Sequence, residues 1–488
     1  MKFHPHFLRA ATLPIASLLL VIAAAALHPV RATTLQGQSD AERYVLGQLK
    51  KGEGGGADLA ALPEDERELS ATFIANLLTS HGMGLEIPRQ EILIQHAFIN
   101  GLLDLSNKEI PYDIYLTGCE FNDIVFFRNS HFAKGLTIIE SSFVGGVDLS
   151  GATIEYFRAS SCSFSGGAYF VDLRVNRDLA VFHSTFHGRE TSFAGARVGK
   201  DLTADECTFL SKTVSFENTR VEGDLSAKSC KFSFDNSRPS PSEMIVERFE
   251  YESQVTFKGA HVADFFLDDS SFDGISSVDF TRMQADFISL SGVAAKTPVK
   301  AIPRLMSFKL LSPVNVEQLQ FLLSPYNAEF YSALENSFRI HGYPEEADKI
   351  FIAKKRAERR ENCKSFLRQC RRGAWAVSLF EDMLAGYGKS LQNLLYWSLG
   401  FLIIGTFVFR SEKGMRLKDE KDAPHYARRY KAFWYSLDLF LPIIKLGEAD
   451  VWTPKDDRRW ANLYRRVHII IGSLFVPIGL AAWTGIIK

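Results

Sequence analysis

Cysteine is scarce in this chain, six among 488 residues, and no two of the six stand in a Cys-x-x-Cys spacing. That removes the common thiol-redox and zinc-ribbon motifs. Cys363 and Cys370 lie seven apart, about 10 Å along a helix, which is beyond the reach of a disulfide. No Gly-x-Gly-x-x-Gly turn follows a strand pattern, and no haem-attachment motif is present. Gly386-Tyr387-Gly388-Lys389-Ser390 ends like a phosphate-binding loop, but Met383 stands where the first glycine belongs. The twelve histidines show no ligand spacing, and His96, His183 and His261 occur singly. Catalytic, cofactor-binding and metal-ligating residues are therefore expected to be none, with no cofactor. The formal net charge is −1, so nothing in the overall balance points to nucleic acid.

What the chain does have is a repeat of about 23 residues. Leu149, Phe170, Phe193, Phe216, Phe257 and Phe280 recur at intervals of 21, 23, 23, 41 and 23. Ile154, Val175, Val198, Val221 and Val262 keep the same step, and Cys119/Phe121, Cys162/Phe164, Ser184/Phe186, Cys207/Phe209, Cys230/Phe232 and Ser270/Phe272 form a further column. A fixed period of this size marks coils that bury their apolar faces only by stacking on one another. Within a coil, small-then-large pairs such as Val214/Phe216, Thr219/Val221, Leu225/Ala227 and Cys230/Phe232 recur every five to seven residues. Residues i and i+2 of an extended segment point the same way, so four such pairs make four inward-facing sides. The cysteines of the column alternate with serine, which asks only for a small side chain.

This pattern resembles the pentapeptide-repeat family, with the five-residue unit loosened. The resemblance implies a right-handed quadrilateral β-helix. The family includes DNA mimics, toxin-like effectors and membrane proteins, so the fold alone selects no function. The repeats are expected over 93–295, interrupted by an inserted loop at 233–253. Residues 33–92 are expected to form a helical cap, with helices over 40–51 and 63–79. Residues 1–32 read as a signal peptide or N-terminal anchor, with an apolar run from Leu13 to Leu27 and small residues at Val30 and Ala32.

Beyond the repeats, 296–390 reads as a linker and a basic helical region, with helices over 326–340 and 344–372. Ten Lys and Arg fall between Lys349 and Arg372, and Arg359, Arg360, Arg371 and Arg372 are candidate lipid-headgroup contacts. Two apolar segments, 391–409 and 467–487, are expected to cross a membrane. The loop between them, 410–466, holds an interfacial or re-entrant helix at 433–446. Gly386-Tyr387-Gly388 with the segment Tyr435 to Gly447 is similar to the tail of bacterial pentapeptide-repeat membrane proteins. Some of these carry the label membrane-associated oxidoreductase. Leu446-Gly447-Glu448-Ala449-Asp450-Val451-Trp452-Thr453-Pro454 is also similar to a potassium-channel filter, with Glu448 and Ala449 as departures. Asp438, Pro442, Gly447 and Asp450 are the candidate residues of this connector.

The sequence thus points to a membrane-anchored, noncatalytic β-solenoid acting as a scaffold or protein-interaction module at a bacterial inner membrane; the leader puts the repeats in the periplasm, whereas the basic Lys349–Arg372 helix favours the cytoplasmic alternative. Its expected partners are membrane lipids and a protein. A degenerate two-helix pore is the alternative, and the oxidoreductase label a further one.

Overall fold

The computed structural model describes residues 38–51, 56–79, 90–234, 252–364, 378–379, 381–383, 386–387, 391–418, 430–441 and 444–483. The expected leader (1–32), most of the inserted loop (233–253), Pro442, Arg371 and Arg372 lie outside the described residues.

The repeats form a parallel β-solenoid of about nine turns. The chain visits four faces in turn, and each strand pairs in parallel with its counterpart one coil on. Face A has eleven strands, from Gly56–Asp58 to Leu310–Ser312. Face B has ten, from Glu68–Ser70 to Ala294–Ala295, and face C nine, from Leu103–Asp104 to Lys300–Ile302. Face D has six, from Glu109–Ile110 to Arg220–Val221, and isolated bridges carry it on through His261, Gln284 and Ser307.

Equivalent residues stack because every coil keeps its register. Phe121, Phe143, Phe164, Phe186, Phe209, Phe232, Phe272 and Phe321 form one column, with ring centroids 4.7–5.7 Å apart. Phe170, Phe193, Phe216, Phe257 and Phe280 form a second, at 4.6–5.6 Å. In the cysteine-serine column, Cys207 Sγ donates to Val181 O (3.3 Å), Cys230 Sγ to Ala204 O (2.8 Å) and Ser270 Oγ to Ala227 O (2.7 Å). Cysteine here is a small side chain that also returns a hydrogen bond to the preceding coil. Burial pushes the Cys119 and Cys162 thiols up to about 11 and the Cys207 thiol to about 12.

Helices close both ends on the same apolar core. Helix α1 (Asp40–Lys51) starts with a reciprocal cap: Glu42 N donates to Ser39 Oγ, and Ser39 N to Glu42 Oε2. Glu42 Oε1 also accepts from Ser70 Oγ (2.7 Å), which ties α1 to face B. Helix α2 (Ala71–Thr79) buries Phe73, Ile74, Leu77 and Leu78. The helix expected over 63–79 is therefore shorter. Its first part is a 3-10 turn (Glu64–Glu66) and a strand (Glu68–Ser70), because Leu69 pairs with Ile99 and enters the core. At the other end, Phe321 stacks on Phe272, and α3 (Ala328–Ile340) buries Phe330, Leu334 and Phe338. Asn327 caps α3, accepting from Glu329 N and Phe330 N. The helix stops where Tyr343 N donates to Phe338 O, and α4 (Pro344–Lys364) follows.

Candidate functional site

Helices α5 (Leu391–Val408), α6 (Ala432–Phe440) and α7 (Arg459–Trp483) pack together. The stretch Arg459–Ala481 is long and apolar enough to cross a membrane, whereas the apolar part of α5, Gln392–Val408, is shorter than a full span. Two crossings were expected, and one helix meets the length. The second helix begins ahead of the expected 467–487 and carries Arg459, Arg465 and Arg466 in its first turns.

The close approach of these helices has identifiable causes. A Cβ on Gly472 would lie 2.1 Å from Phe440 O, and one on Gly405 would lie 2.2 Å from Ser436 Oγ. Gly472, facing backbone, therefore demands glycine, whereas a side chain at 405 would have to displace the Ser436 hydroxyl. Ser436 sits at the three-way junction, where its Oγ donates to Leu402 O (3.3 Å) on α5. His468 on α7 is fully buried, and its Nε2 donates to Ser436 O (3.0 Å), which sets the tautomer. Phe440 and Tyr464 flank the imidazole, each with its ring centroid 5.4 Å away.

Asp438 organises the connector. Its Oδ1 accepts from Leu446 N (2.8 Å) and its Oδ2 from Ala449 N (2.6 Å). Gly447 is left-handed at φ +87° and opens a single helical turn, Glu448–Val451. Trp452–Pro454 then pairs antiparallel with Met415–Leu417. A potassium-type filter needs an extended run of free carbonyls. Here Glu448 O accepts from Trp452 N, Ala449 O from Lys418 Nζ, and Val451 O from Lys418 N. The filter-like letters are thus folded as a turn and a hairpin strand. Asp438 and Gly447 serve that turn, and Asp450 is exposed on it.

The basic helix α4 is less free than its sequence suggests. Arg359 donates to Asp382 Oδ2 (2.9 Å), Ser378 O (3.1 Å) and Tyr387 Oη (3.1 Å). Arg356 joins it on Asp382, with Nη2 at 2.8 Å from Oδ1. Burial pushes the Asp382 carboxyl up, but the hydrogen bonds from Arg356 and Arg359 outweigh it and hold the group below the ordinary aspartate value. Arg359 therefore fastens α4 to the segment that leads into α5. Arg360 is exposed and, with Lys349, Arg356, Tyr331 and Leu323, lines a groove of about 670 Å³ that also touches Asn393 at the start of α5. Among the described residues, no group of three or more His, Cys, Asp or Glu is arranged to hold a metal ion.

Asp382, Ser436 and His468 were not singled out from the sequence. Asp382 is one of the first two carboxylates, with Glu381, after a basic run, which is a usable signal. The partnership of Ser436 with His468, 32 residues apart, has no local signature. Face D also carries Arg174, Arg197 and Arg220 in register, each just before a valine of the repeat column.

No family model, curated protein or solved structure matches this chain.

Proposed function

We propose that the protein is a noncatalytic β-solenoid scaffold held at a bacterial inner membrane by α5 and α7, with its outer faces offered to a partner. The observation that carries this reading is the paired grip of Arg356 and Arg359 on Asp382, which couples the solenoid's capping helix to the start of the apolar bundle. A scaffold needs a stiff body and a fixed attachment, and this joint supplies the attachment. The filled phenylalanine interior supports the stiff body and leaves the outer faces as the working surface. The groove beside Arg360 opens next to α5, a suitable position for anionic lipid headgroups. The pentapeptide-repeat resemblance agrees with the four faces, and the periplasmic side follows from the expected leader.

The test is extraction of membranes at alkaline pH, followed by protease treatment of cells with a permeabilised outer membrane. The expected result is a pelleted chain whose solenoid is digested before the inner membrane is lysed. Release of the full chain into the supernatant would sink the anchoring. Protection until inner-membrane lysis would reverse the orientation.

A further inference from the structure

Face D carries a charge pattern that packing does not require. Arg174, Arg197 and Arg220 occupy one register position on successive parallel strands, about 4.8 Å apart per step, and all three are exposed. Their backbone amides bond to the preceding coil, but among the described residues none of the three guanidinium groups has a hydrogen-bond or ion-pair partner. Three other cations of the solenoid are paired: Arg128 with Asp148, Lys258 with Glu217 and Lys309 with Asp286. Like charges directly opposite one another across strands repel, so folding gains nothing from this column.

The surroundings are shaped to receive something. Arg174 and Arg197, together with Arg128, border a groove of about 530 Å³ at the corner of faces C and D. At Gly151 and Gly195 the Asn129 and Asp172 side-chain oxygens sit where a Cβ would be; Asn129 and Ser150 add neutral hydrogen-bonding groups, and Asp172 is the one carboxylate of the lining. Strands of face D are two residues long with one of the two buried, so the charged strip is one residue wide and runs along the solenoid axis. That footprint suits a line of anions better than a rounded protein surface.

We infer that this arginine strip binds a linear acidic polysaccharide lying along the solenoid axis, its carboxylates on the guanidinium groups and its hydroxyls on Asn129 and Ser150. Guanidinium forks match carboxylates in a way that ammonium groups do not. Single-stranded nucleic acid fits less well, because the register column from Glu109 through His131 and Thr153 to the arginines holds no Phe, Tyr or Trp on which bases could stack. The inference uses the scaffold reading of the outer faces and is independent of the membrane placement.

The experiment is equilibrium binding of the full chain in detergent to fluorescent polygalacturonate oligomers, with dextran and oligo-dT as comparison probes, at low and high salt. The triple variant R174Q/R197Q/R220Q is compared with Lys231→Gln, which removes an exposed cation from face B. Polygalacturonate is expected to bind where dextran does not, and to weaken as salt rises. The triple variant is expected to lose about tenfold or more in affinity, since three exposed charge contacts each contribute modestly, while melting no lower than the parent. Lys231→Gln is expected to bind as the parent does. Equal binding by the triple variant, or none by the parent, overturns the inference. Tighter binding of oligo-dT also overturns it and reassigns the strip to nucleic acid. Each of these failures leaves the membrane-extraction result untouched.

Discussion

At the residue scale, two small groups do more than their types suggest. The stacked thiols are hydrogen-bond donors to the neighbouring coil, with Cys207 pushed up to about 12 by burial. In a Cys363→Ser/Cys370→Ser background, labelling with a maleimide at pH 8 should be negligible in the native protein and complete after denaturation, because the thiolate is the reactive form. Cys207→Ser should cost no more than about 1 kcal/mol, as Ser184 and Ser270 already fill the same column; chemical denaturation measures it. Asp382 behaves oppositely. Its folded pKa is depressed, so its stabilising contribution is complete above the ordinary aspartate range and is lost as pH falls through the lower folded value. Asp382→Asn should weaken the joint by about 2 kcal/mol at pH 7. The loss should shrink in acid and be visible as faster proteolysis between α4 and α5.

At the scale of elements, the aromatic columns and the helix junction make separate demands. Phe186 lies between Phe164 and Phe209, at 4.9 Å from each. Phe186→Ala should therefore destabilise by about 3–5 kcal/mol, read from the midpoint of denaturant unfolding. Because each coil touches only its neighbours, the loss should spread as early proteolysis of the adjoining coils. Gly472→Val would drive a side chain into the Phe440 carbonyl and should push α6 from α7, costing about 1–3 kcal/mol. Loss of a disulfide engineered between those helices would report it. The phenylalanine and valine columns were legible because a 23-residue step repeats them. The last strands, Lys300–Ile302 and Leu310–Ser312, were not, since the aromatic columns lapse there: Ala295 stands in register with Phe272, and Pro303 follows where the Phe280 column would continue. Leu69 was hidden for a similar reason: one buried residue beside an acidic turn looks like a helix start, and only pairing with Ile99 makes it strand. Asp438 was legible as a connector residue, but its two backbone partners, Leu446 N and Ala449 N, were not, because they lie eight and eleven residues on and only the turn at Gly447 brings them to it.

At the scale of the whole molecule, the cores divide. One continuous apolar cluster runs from α1 through the solenoid to α4, and two smaller ones belong to the α5–α7 bundle. The Asp382 joint bridges them. A chain truncated after residue 364 keeps the first cluster entire and is expected to fold, giving the parent's far-ultraviolet strand signal while failing to pellet with membranes. A truncated chain that aggregates would mean the bundle is needed for folding as well as attachment. The register of the coils has one more consequence. Length along this molecule is counted, not adjusted: nine strands on face C, at about 4.8 Å for each step, span roughly 40 Å, and the only way to alter that span is by whole coils. Removing residues 194–216 would join Phe193 to the segment after Phe216 with every column still aligned, giving a rod one notch shorter with the same cross-section. The distance between its two helical ends works as a graduated ruler whose marks are the phenylalanines.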